Sequence, residues 1–281
     1  MILGTTKVVG IFGDPVEHSF SPPMHNTAFL DLGLDFVYVP LRVIPKNLKD
    51  AVTGFRSMNF SGANVTIPHK ENILPYLDKL SPISEKMGVV NTLYWEEDKL
   101  CGTTTDPYGA IQNLQNATGK LLTSERVLLL GYGGAARAIA FALAMEFPHT
   151  ALSISGRNKA KAKILQDEVF KKTNRHFKFY DTEELVNNKD KFDIIINTTP
   201  IGMHPHENKS PIHQDFWTVS HIAYDIVYNP KETLFLKHAA QKKAKTVNGL
   251  GMLVYQGAKS FSLWTGYQPN IPLMFATLES L

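Results

Sequence analysis

The segment RVLLLGYGGAARAIAFAL, residues 126–143, puts an apolar run, a glycine turn and an alanine-rich helical pattern directly one after another. This order is typical of a dinucleotide-binding turn, in which Gly131 permits the tight turn and Gly133 lets the backbone approach a pyrophosphate. Ala136 is the third small residue, where the helix packs on the strand. A loop that only needs positive φ would explain the glycines but not their place between strand and helix. We therefore predict a dinucleotide site here.

The sequence on both sides of this segment alternates short apolar runs with helical patterns, which predicts an α/β fold built from βαβ units and parallel sheets. The glycine segment opens a second series of strands, at RVLLL, TALSIS, FDIIIN and HIAYDIV. The first series, between residues 8 and 100, has strands at VVGIF, FVYVPL, GANVT and TLYW. Helices are expected to start near Pro22, Pro45 and His69.

This pattern predicts two domains. Residues 106–249 are expected to form a Rossmann-like, doubly wound domain that binds the dinucleotide. From residue 250 onward the pattern is helical again, because MLVYQGAKSFSLWTG carries apolar groups at helical spacing. We therefore predict that residues 250–281 return as C-terminal helices to an N-terminal α/β substrate domain formed by residues 1–105.

The charge balance points to a small-molecule partner. The 281 residues include 29 basic and 26 acidic side chains, with a formal net charge of +3. This balance is unlike the basic footprint of a protein that binds nucleic acid or an anionic membrane. We expect a monomer or a homodimer.

The single cysteine, Cys101, excludes an internal disulfide framework and agrees with a reducing compartment. It lies in an apparent strand, so we expect it in the core rather than as a nucleophile for an acyl substrate. The N-terminus lacks the pattern of a signal peptide, and no apolar stretch is long enough to span a bilayer. These features predict a cytoplasmic protein. His204 and His206 have no third ligand nearby in sequence, so we predict a loop and no metal site.

The end of the strand TALSIS indicates which dinucleotide is bound. An acidic residue at this point would hold the ribose 2′-hydroxyl of NAD, but the sequence continues SGRNKAKAK and supplies Arg157. A guanidinium suits a 2′-phosphate, which predicts NADP. The lysines that follow are expected to form a solvated helix face. The next strand ends in NTTPIGM, which puts Asn197 and Thr199 at the ligand-binding edge of the sheet.

Polar clusters in the first strand series predict a substrate site. Ser19 and Ser21 precede a proline-started helix and could form a neutral carboxylate pocket, although helix capping would explain one of them. GANVTIPHK contains Lys70, which in an enclosed site could accept the proton of an alcohol that loses a hydride. Asp106 could position that lysine. From spacing alone, a surface lysine remains the alternative.

The chain resembles the shikimate dehydrogenase family over nearly its full length. The resemblance rests on eight blocks in the order of that family: GDPVEHSFSPPMHN, GANVTIPHK, GVVNTL, TTTD, GYGGAARA, NTTPIGM, YDIVYNP and NGLGMLVYQGAKSFSLWTG. It implies reversible reduction of 3-dehydroshikimate to shikimate by NADPH, a step of aromatic amino-acid and chorismate biosynthesis.

The resemblance also implies roles for individual residues. Lys70 and Asp106 match the catalytic pair of the family. The positions that match substrate contacts are Ser19, Ser21, Asn64, Thr66, Lys70, Asn91, Asp106, Tyr228 and Gln256. The positions that match the NADP-binding segments are Gly131, Gly133, Gly134, Ala135, Arg157, Thr199, Gly249 and Met252.

The chain departs from the family pattern near both predicted sites. Thr104 and Pro107 flank Asp106 where asparagine and glycine are usual, which puts the placement of Asp106 in question. Tyr132 replaces a small residue in the glycine turn, and Gly156 replaces asparagine before Arg157, which puts cofactor affinity in question. Two alternatives remain open at this stage: a quinate/shikimate dehydrogenase that uses NAD or NADP, and a non-catalytic ligand sensor.

Overall fold

The computed structural model describes residues 2–119 and 122–281, which divide into two units. The first unit runs up to Thr105 and resumes at Leu253–Leu281, and the second unit is Asp106–Met252. The strands are β1 (Lys7–Gly13), β2 (Phe36–Arg42), β3 (Gly62–Val65), β4 (Lys79–Leu80), β5 (Thr92–Glu96), β6 (Lys99–Thr103), β7 (Arg126–Leu130), β8 (Ala151–Ser155), β9 (Phe177–Tyr180), β10 (Ile194–Asn197), β11 (Ile222–Asp225) and β12 (Lys245–Val247). The α-helices are α1 (Ser21–Asp31), α2 (Leu48–Ser57), α3 (Pro82–Met87), α4 (Asp106–Thr118), α5 (Gly134–Glu146), α6 (Lys159–Thr173), α7 (Leu234–Gln241), α8 (Leu250–Thr265) and α9 (Ile271–Glu279).

The sheet of the second unit has the order β12-β11-β10-β7-β8-β9, with every neighbouring pair parallel. Read from β9, this is the 3-2-1-4-5-6 order of a doubly wound dinucleotide fold. The strand order reverses between β7 and β10, and in such sheets ligands bind beyond the carboxyl ends of the strands at that point. The predicted α/β fold class is confirmed, and the predicted glycine turn leaves β7 at this switch point.

The sheet of the first unit has the order β2-β1-β3-β5-β6-β4 and is mixed. β1 is parallel to β2 and β3, but β5 is antiparallel to both β3 and β6. The predicted parallel pairing is therefore present between β1, β2 and β3 but not around β5. The β5–β6 hairpin turns through Glu97, whose φ is +53°, without the glycine or asparagine that usually marks such a turn.

The helix predicted from His69 was wrong. His69 has no regular secondary structure. Turns at residues 70–73 lead into a short 3-10 helix at Leu74–Tyr76, and the next α-helix starts only at Pro82. Pro75 stands six residues after His69, where its ring and missing N–H would break an α-helix that began there. The helices expected near Pro22 and Pro45 are present as α1 and as a 3-10 turn that leads into α2.

Helix α9, and α8 from Leu253 onward, belong to the first unit, where α9 packs against α1, whereas residues 250–252 belong to the second unit. Residue 250, the predicted point of return, is the first residue of α8. Cys101 lies in β6 and is fully buried, as expected of a core residue. No helix among the described residues combines the length and apolar character that a membrane span needs.

Candidate active site

A buried set of amide and hydroxyl groups lies where β3, β5 and α8 meet in the first unit. We call it the neutral network. Its members are Tyr38, Asn64, Asn91, Thr92, Thr105, Gln256 and Ser260. Three of the predicted substrate contacts, Asn64, Asn91 and Gln256, are in it, and each is less than a tenth exposed.

Asn64 connects the strands of the neutral network to helix α8. Its Oδ1 accepts a hydrogen bond from the Tyr38 hydroxyl at 2.8 Å. Its Nδ2 donates to Ser260 Oγ at 3.1 Å and to Thr92 Oγ1 at 3.3 Å. Because both ends of the amide are used, the orientation of the Asn64 side chain is fixed.

Asn91 has the same role one strand further along. Its Oδ1 accepts from the backbone amide of Thr105 at 2.8 Å and from the Thr92 hydroxyl at 2.8 Å. Its Nδ2 donates to Thr105 Oγ1 at 3.0 Å and to Gln256 Oε1 at 3.3 Å. The network therefore presents oriented amides and hydroxyls, the groups that suit a ligand with several hydroxyls.

The aromatic residues behind the network are held uncharged. Burial raises the pKa of Tyr38, whose ring stacks on His25 with centroids 4.6 Å apart. His25 is fully buried, and burial lowers its pKa to about 3. Neither side chain brings a charge to the network near neutral pH.

Four other predicted residues of the first unit lie at element ends. Ser19 and Ser21 meet at the start of α1, where the Ser21 amide donates to Ser19 Oγ at 3.3 Å. Thr66 and Lys70 follow β3 and are half-buried. The Lys70 carbonyl accepts from the amide of Val90 at 2.8 Å.

The residue before Lys70 anchors the same segment. His69 is fully buried, and its Nε2 lies 2.5 Å from the carbonyl oxygen of Val43. Asp106, the other half of the predicted catalytic pair, is the first residue of α4 in the second unit and is half-buried.

The glycine turn of the second unit has the geometry that its sequence predicts. Gly131 has φ +111°, and a Cβ on it would lie 2.8 Å from Thr198 Oγ1, so only glycine fits there. The turn is thus in contact with the residue that follows β10, on the other side of the switch point. The Gly131 amide donates to the Ser155 carbonyl at the end of β8, at 2.8 Å.

The backbone at the start of α5 is open to close approach. No heavy atom lies within 4 Å of a Cβ placed on Gly133 or Gly134, apart from their immediate chain surroundings. Gly133 is the N-cap and supplies no side-chain hydrogen bond to the helix. Amides at such an end suit anionic oxygens. Arg157 is exposed beyond β8 and makes no ion pair with a described residue. The open amides at the start of α5 and the Arg157 guanidinium together fit the phosphates of NADP.

The second unit contains its own buried polar group, which we call the Asp225 cluster: Asp225, Asn197, Thr199 and Thr233. Asp225 Oδ1 accepts from Asn197 Nδ2 at 3.0 Å, and Oδ2 accepts from the Thr233 hydroxyl at 2.6 Å. Thr199 donates from its hydroxyl to Asn197 Oδ1 at 2.7 Å. Burial raises the pKa of Asp225 to about 6, although its hydrogen bonds lower it.

The remaining predicted residues of the second unit lie near its last strands. Tyr228 follows β11, and burial raises its pKa. Gly249 is buried, and a Cβ on it would lie 1.9 Å from the carbonyl oxygen of Ile226. Close backbone packing thus explains this glycine. Met252 is half-buried in the first turn of α8.

Sequence reasoning missed several members of both polar groups. Ser260 could have been found from spacing, because it lies four residues after Gln256 on the same face of α8 and donates to its carbonyl at 3.1 Å. Asp225 lies in the block YDIVYNP, but no role was predicted for it from the sequence. Tyr38 carried no signal, since a tyrosine in an apolar run indicates only a strand.

The histidine pair in the second unit shows no metal geometry. His204 Nδ1 lies 3.0 Å from Glu207 Oε1 in an exposed turn. Across the described ranges, no three side chains of the metal-ligating types come together.

The strand order, the open glycine turn and a separate sheet with a buried polar network define a class: two-domain dinucleotide-binding α/β proteins. Two family profiles match the chain, the shikimate dehydrogenase substrate binding domain over residues 11–93 and the shikimate 5′-dehydrogenase C-terminal domain over residues 249–279.

Known proteins are similar over the whole chain. The NADP(+) shikimate dehydrogenase of Methanobrevibacter smithii is 45% identical over 99% of this chain and 98% of its own length. A crystal structure of a shikimate dehydrogenase in complex with NADP+ has a TM-score of 0.93 and 42% identity, covering 100% of this chain and 97% of that one. The shikimate 5-dehydrogenase of Listeria monocytogenes, solved with shikimate and NAD, has a TM-score of 0.93 and 37% identity over 99% and 98% of the two chains. The chain belongs to the shikimate dehydrogenase family, which confirms the resemblance found in its sequence.

Proposed function

We propose that this chain is an NADP-dependent oxidoreductase that reversibly reduces 3-dehydroshikimate to shikimate, in aromatic amino-acid and chorismate biosynthesis. One observation carries the proposal: an open glycine turn lies at the switch point of the doubly wound sheet, with Arg157 after the next strand. The full-length similarity to enzymes named for this reaction supports it.

The second unit binds the cofactor in this proposal. The amides after Gly133 receive the pyrophosphate, and Arg157 receives the 2′-phosphate. When bound, NADP supplies a nicotinamide that exchanges a hydride with the substrate carbon. The other residues assigned to the cofactor are Gly131, Gly134, Ala135, Thr199, Gly249 and Met252. Thr199 is held by Asn197, so it contributes as part of a rigid strand end.

The first unit binds the substrate. The hydroxyls of Ser19 and Ser21 at the start of α1 receive the carboxylate. Asn64, Asn91 and Gln256 orient the substrate hydroxyls, together with Thr66. Tyr228, in the second unit, is also assigned to the substrate. A substrate that lacks one of these hydroxyls would leave a buried amide unpaired, which is the physical basis of selectivity.

Lys70 and Asp106 are assigned to proton transfer. In the direction of oxidation the Lys70 amine would accept the O–H proton of the substrate, while bound NADP would accept the hydride. In the direction of reduction Lys70 returns the proton to the carbonyl oxygen. Asp106 is the second member of this pair. The contacts of His69 and of the Lys70 carbonyl hold the segment that carries the lysine.

Activity on quinate, use of NAD and a sensor role are the alternatives. Quinate would meet the same hydroxyl-binding groups, and Arg157 argues for the phosphorylated cofactor. A sensor needs neither Lys70 nor Asp106, and the chain has both. The cytoplasmic location and the choice between monomer and homodimer stay predictions.

The test is a matrix of initial rates for the purified protein, with shikimate and quinate each offered with NADP and NAD. We expect the highest kcat/KM for shikimate with NADP. Arg157→Gln should raise the KM for NADP about tenfold or more, because a charge-assisted contact is lost, and should leave the KM for NAD nearly unchanged. Lys161→Gln on α6 is the matched control. Absence of turnover with every pair would reject the enzyme in favour of the sensor.

A further inference from the structure

Tyr132, in the middle of the glycine turn, packs directly on Gly156. A Cβ built on Gly156 would lie 2.7 Å from Cε1 and 2.9 Å from Cδ1 of the Tyr132 ring. Both distances are shorter than any side chain tolerates, so the ring stays where it is only while residue 156 is glycine. The two departures from the family pattern at the predicted cofactor site are therefore one structural feature.

The ring lies between two parts of the cofactor site. Tyr132 stands between Gly131, whose amide donates to Ser155 at 2.8 Å, and Gly133, the N-cap of α5. Gly156 precedes Arg157, the residue assigned to the 2′-phosphate. The ring thus covers the backbone that joins β8 to Arg157, where a doubly wound fold holds the ribose next to the adenine.

Part of the Tyr132 side chain is exposed and can contact a ligand. Tyr132 is only half-buried, and no described residue is hydrogen-bonded to its hydroxyl. An aromatic face beside a nucleotide site adds contact area at little cost in conformational entropy, and such faces stack on bases of any identity.

Resting on the proposed function, we propose that Tyr132 is an affinity-determining residue whose ring forms a wall for the adenosine part of the cofactor, and that Gly156 holds this ring in position. The ring contacts the adenosine and leaves the 2′-phosphate to Arg157. Tyr132 therefore sets affinity for NADP and NAD alike, while Arg157 sets the ratio between them.

The test is a double-mutant cycle read by calorimetric titration of the substrate-free protein with NADP and with NAD. Tyr132→Ala should raise the Kd for each dinucleotide about tenfold, as expected when one stacked ring is lost. Gly156→Ala should raise it by a similar factor, because the added methyl displaces the ring. In the Tyr132→Ala background, the same Gly156→Ala change should alter Kd by less than about twofold.

Three results would overturn the proposal: equal effects of Gly156→Ala in both backgrounds, no effect of Tyr132→Ala, or a tenfold loss in Tyr132→Phe, which keeps the ring and should stay within about twofold of the parent. Thermal unfolding of each variant without ligand checks that the fold is intact. If the parent protein binds NADP but does not oxidise shikimate, the proposed reaction is rejected. The double-mutant cycle can still be measured in that case, because it depends only on dinucleotide binding.

Discussion

The two units each contain a buried polar cluster next to their central strands, and the clusters differ in charge. The neutral network of the first unit consists of amides and hydroxyls that orient one another, with Asn64 and Asn91 as its centres. The Asp225 cluster of the second unit surrounds a carboxyl whose pKa burial raises to about 6. One cluster has no group that titrates near neutral pH, and the other contains one.

The difference follows from what each cluster is assigned to do. A polyol site needs donors and acceptors in fixed orientation and gains nothing from a buried charge, which would cost free energy. The Asp225 cluster ties the end of β10 to the residues after β11, since Asp225 accepts from Asn197, from Thr233 and from the Val227 amide. A carboxylate can accept all three hydrogen bonds because both of its oxygens are acceptors.

The largest effect is expected at Lys70, which we assign to chemistry rather than to either cluster. Lys70→Ala should lower kcat about a hundredfold or more, because the proton acceptor is lost. The Kd for NADP should change little, since Lys70 belongs to the first unit. Stopped-flow turnover and titration with NADP measure the two quantities. Lys49→Ala, on the exposed face of α2, is the control, and an unchanged kcat in Lys70→Ala would reject its role.

A charge placed in the neutral network tests the comparison directly. Asn64→Asp keeps the shape of the side chain but replaces the Nδ2 donor with an acceptor that faces Ser260 Oγ and the Asn91 carbonyl. The free energy of unfolding at pH 7 should fall by about 3 kcal/mol, and it should recover as the new carboxyl is protonated.

Chemical denaturation at pH 7 and pH 5 measures this change. Asn72→Asp is the matched control, because Asn72 is exposed and its side-chain amide donates to the carbonyl of Pro68. Equal stability of Asn64→Asp and the parent would show that the network tolerates a charge and would remove the contrast between the units.

Substitutions at two glycines of the cofactor turn distinguish an effect on stability from an effect on NADP binding. Gly131→Ala should lower the free energy of unfolding by about 2 kcal/mol, because φ is +111° and the methyl meets Thr198. Gly133→Ala has open space and φ −81°, so its stability should change by less than about 0.5 kcal/mol. Both should weaken NADP binding in a titration. If Gly133→Ala bound NADP as tightly as the parent, the pyrophosphate would not approach that backbone.

The smallest effect is expected for Asp225→Asn. The pKa of Asp225 is higher in the folded chain than its ordinary value of 3.8, so the folded state holds the proton more tightly. This group therefore adds stability at low pH that is lost as the pH rises from about 4 to 6. In Asp225→Asn this contribution to the pH dependence of the free energy of unfolding should be absent. Denaturation curves at pH 4.5 and 7 give the change in the free energy of unfolding between these pH values. An equal change in the variant and the parent would contradict the raised pKa of Asp225.

The glycine turn of the second unit was predictable from local sequence, and the connections within the neutral network of the first unit were not. Gly131 and Arg157 follow strands that apolar runs predict, and a parallel sheet brings successive strand ends to one edge. The neutral network instead joins β3 and β5 to a helix at the other end of the chain. The bond between Asn64 and Ser260 spans 196 positions in sequence, so no local pattern could predict it.

The sequence by itself determined the fold class, the family and the glycine turn, and it predicted a phosphorylated cofactor, because each of these depends on residue types at short spacing within single strands, turns and motif blocks. Only the tertiary structure decided the mixed sheet of the first unit, the composition of the neutral network, the buried carboxyl of Asp225 and the contact of Tyr132 with Gly156. These features depend on groups far apart in sequence whose burial and partners are set by strand order and helix packing.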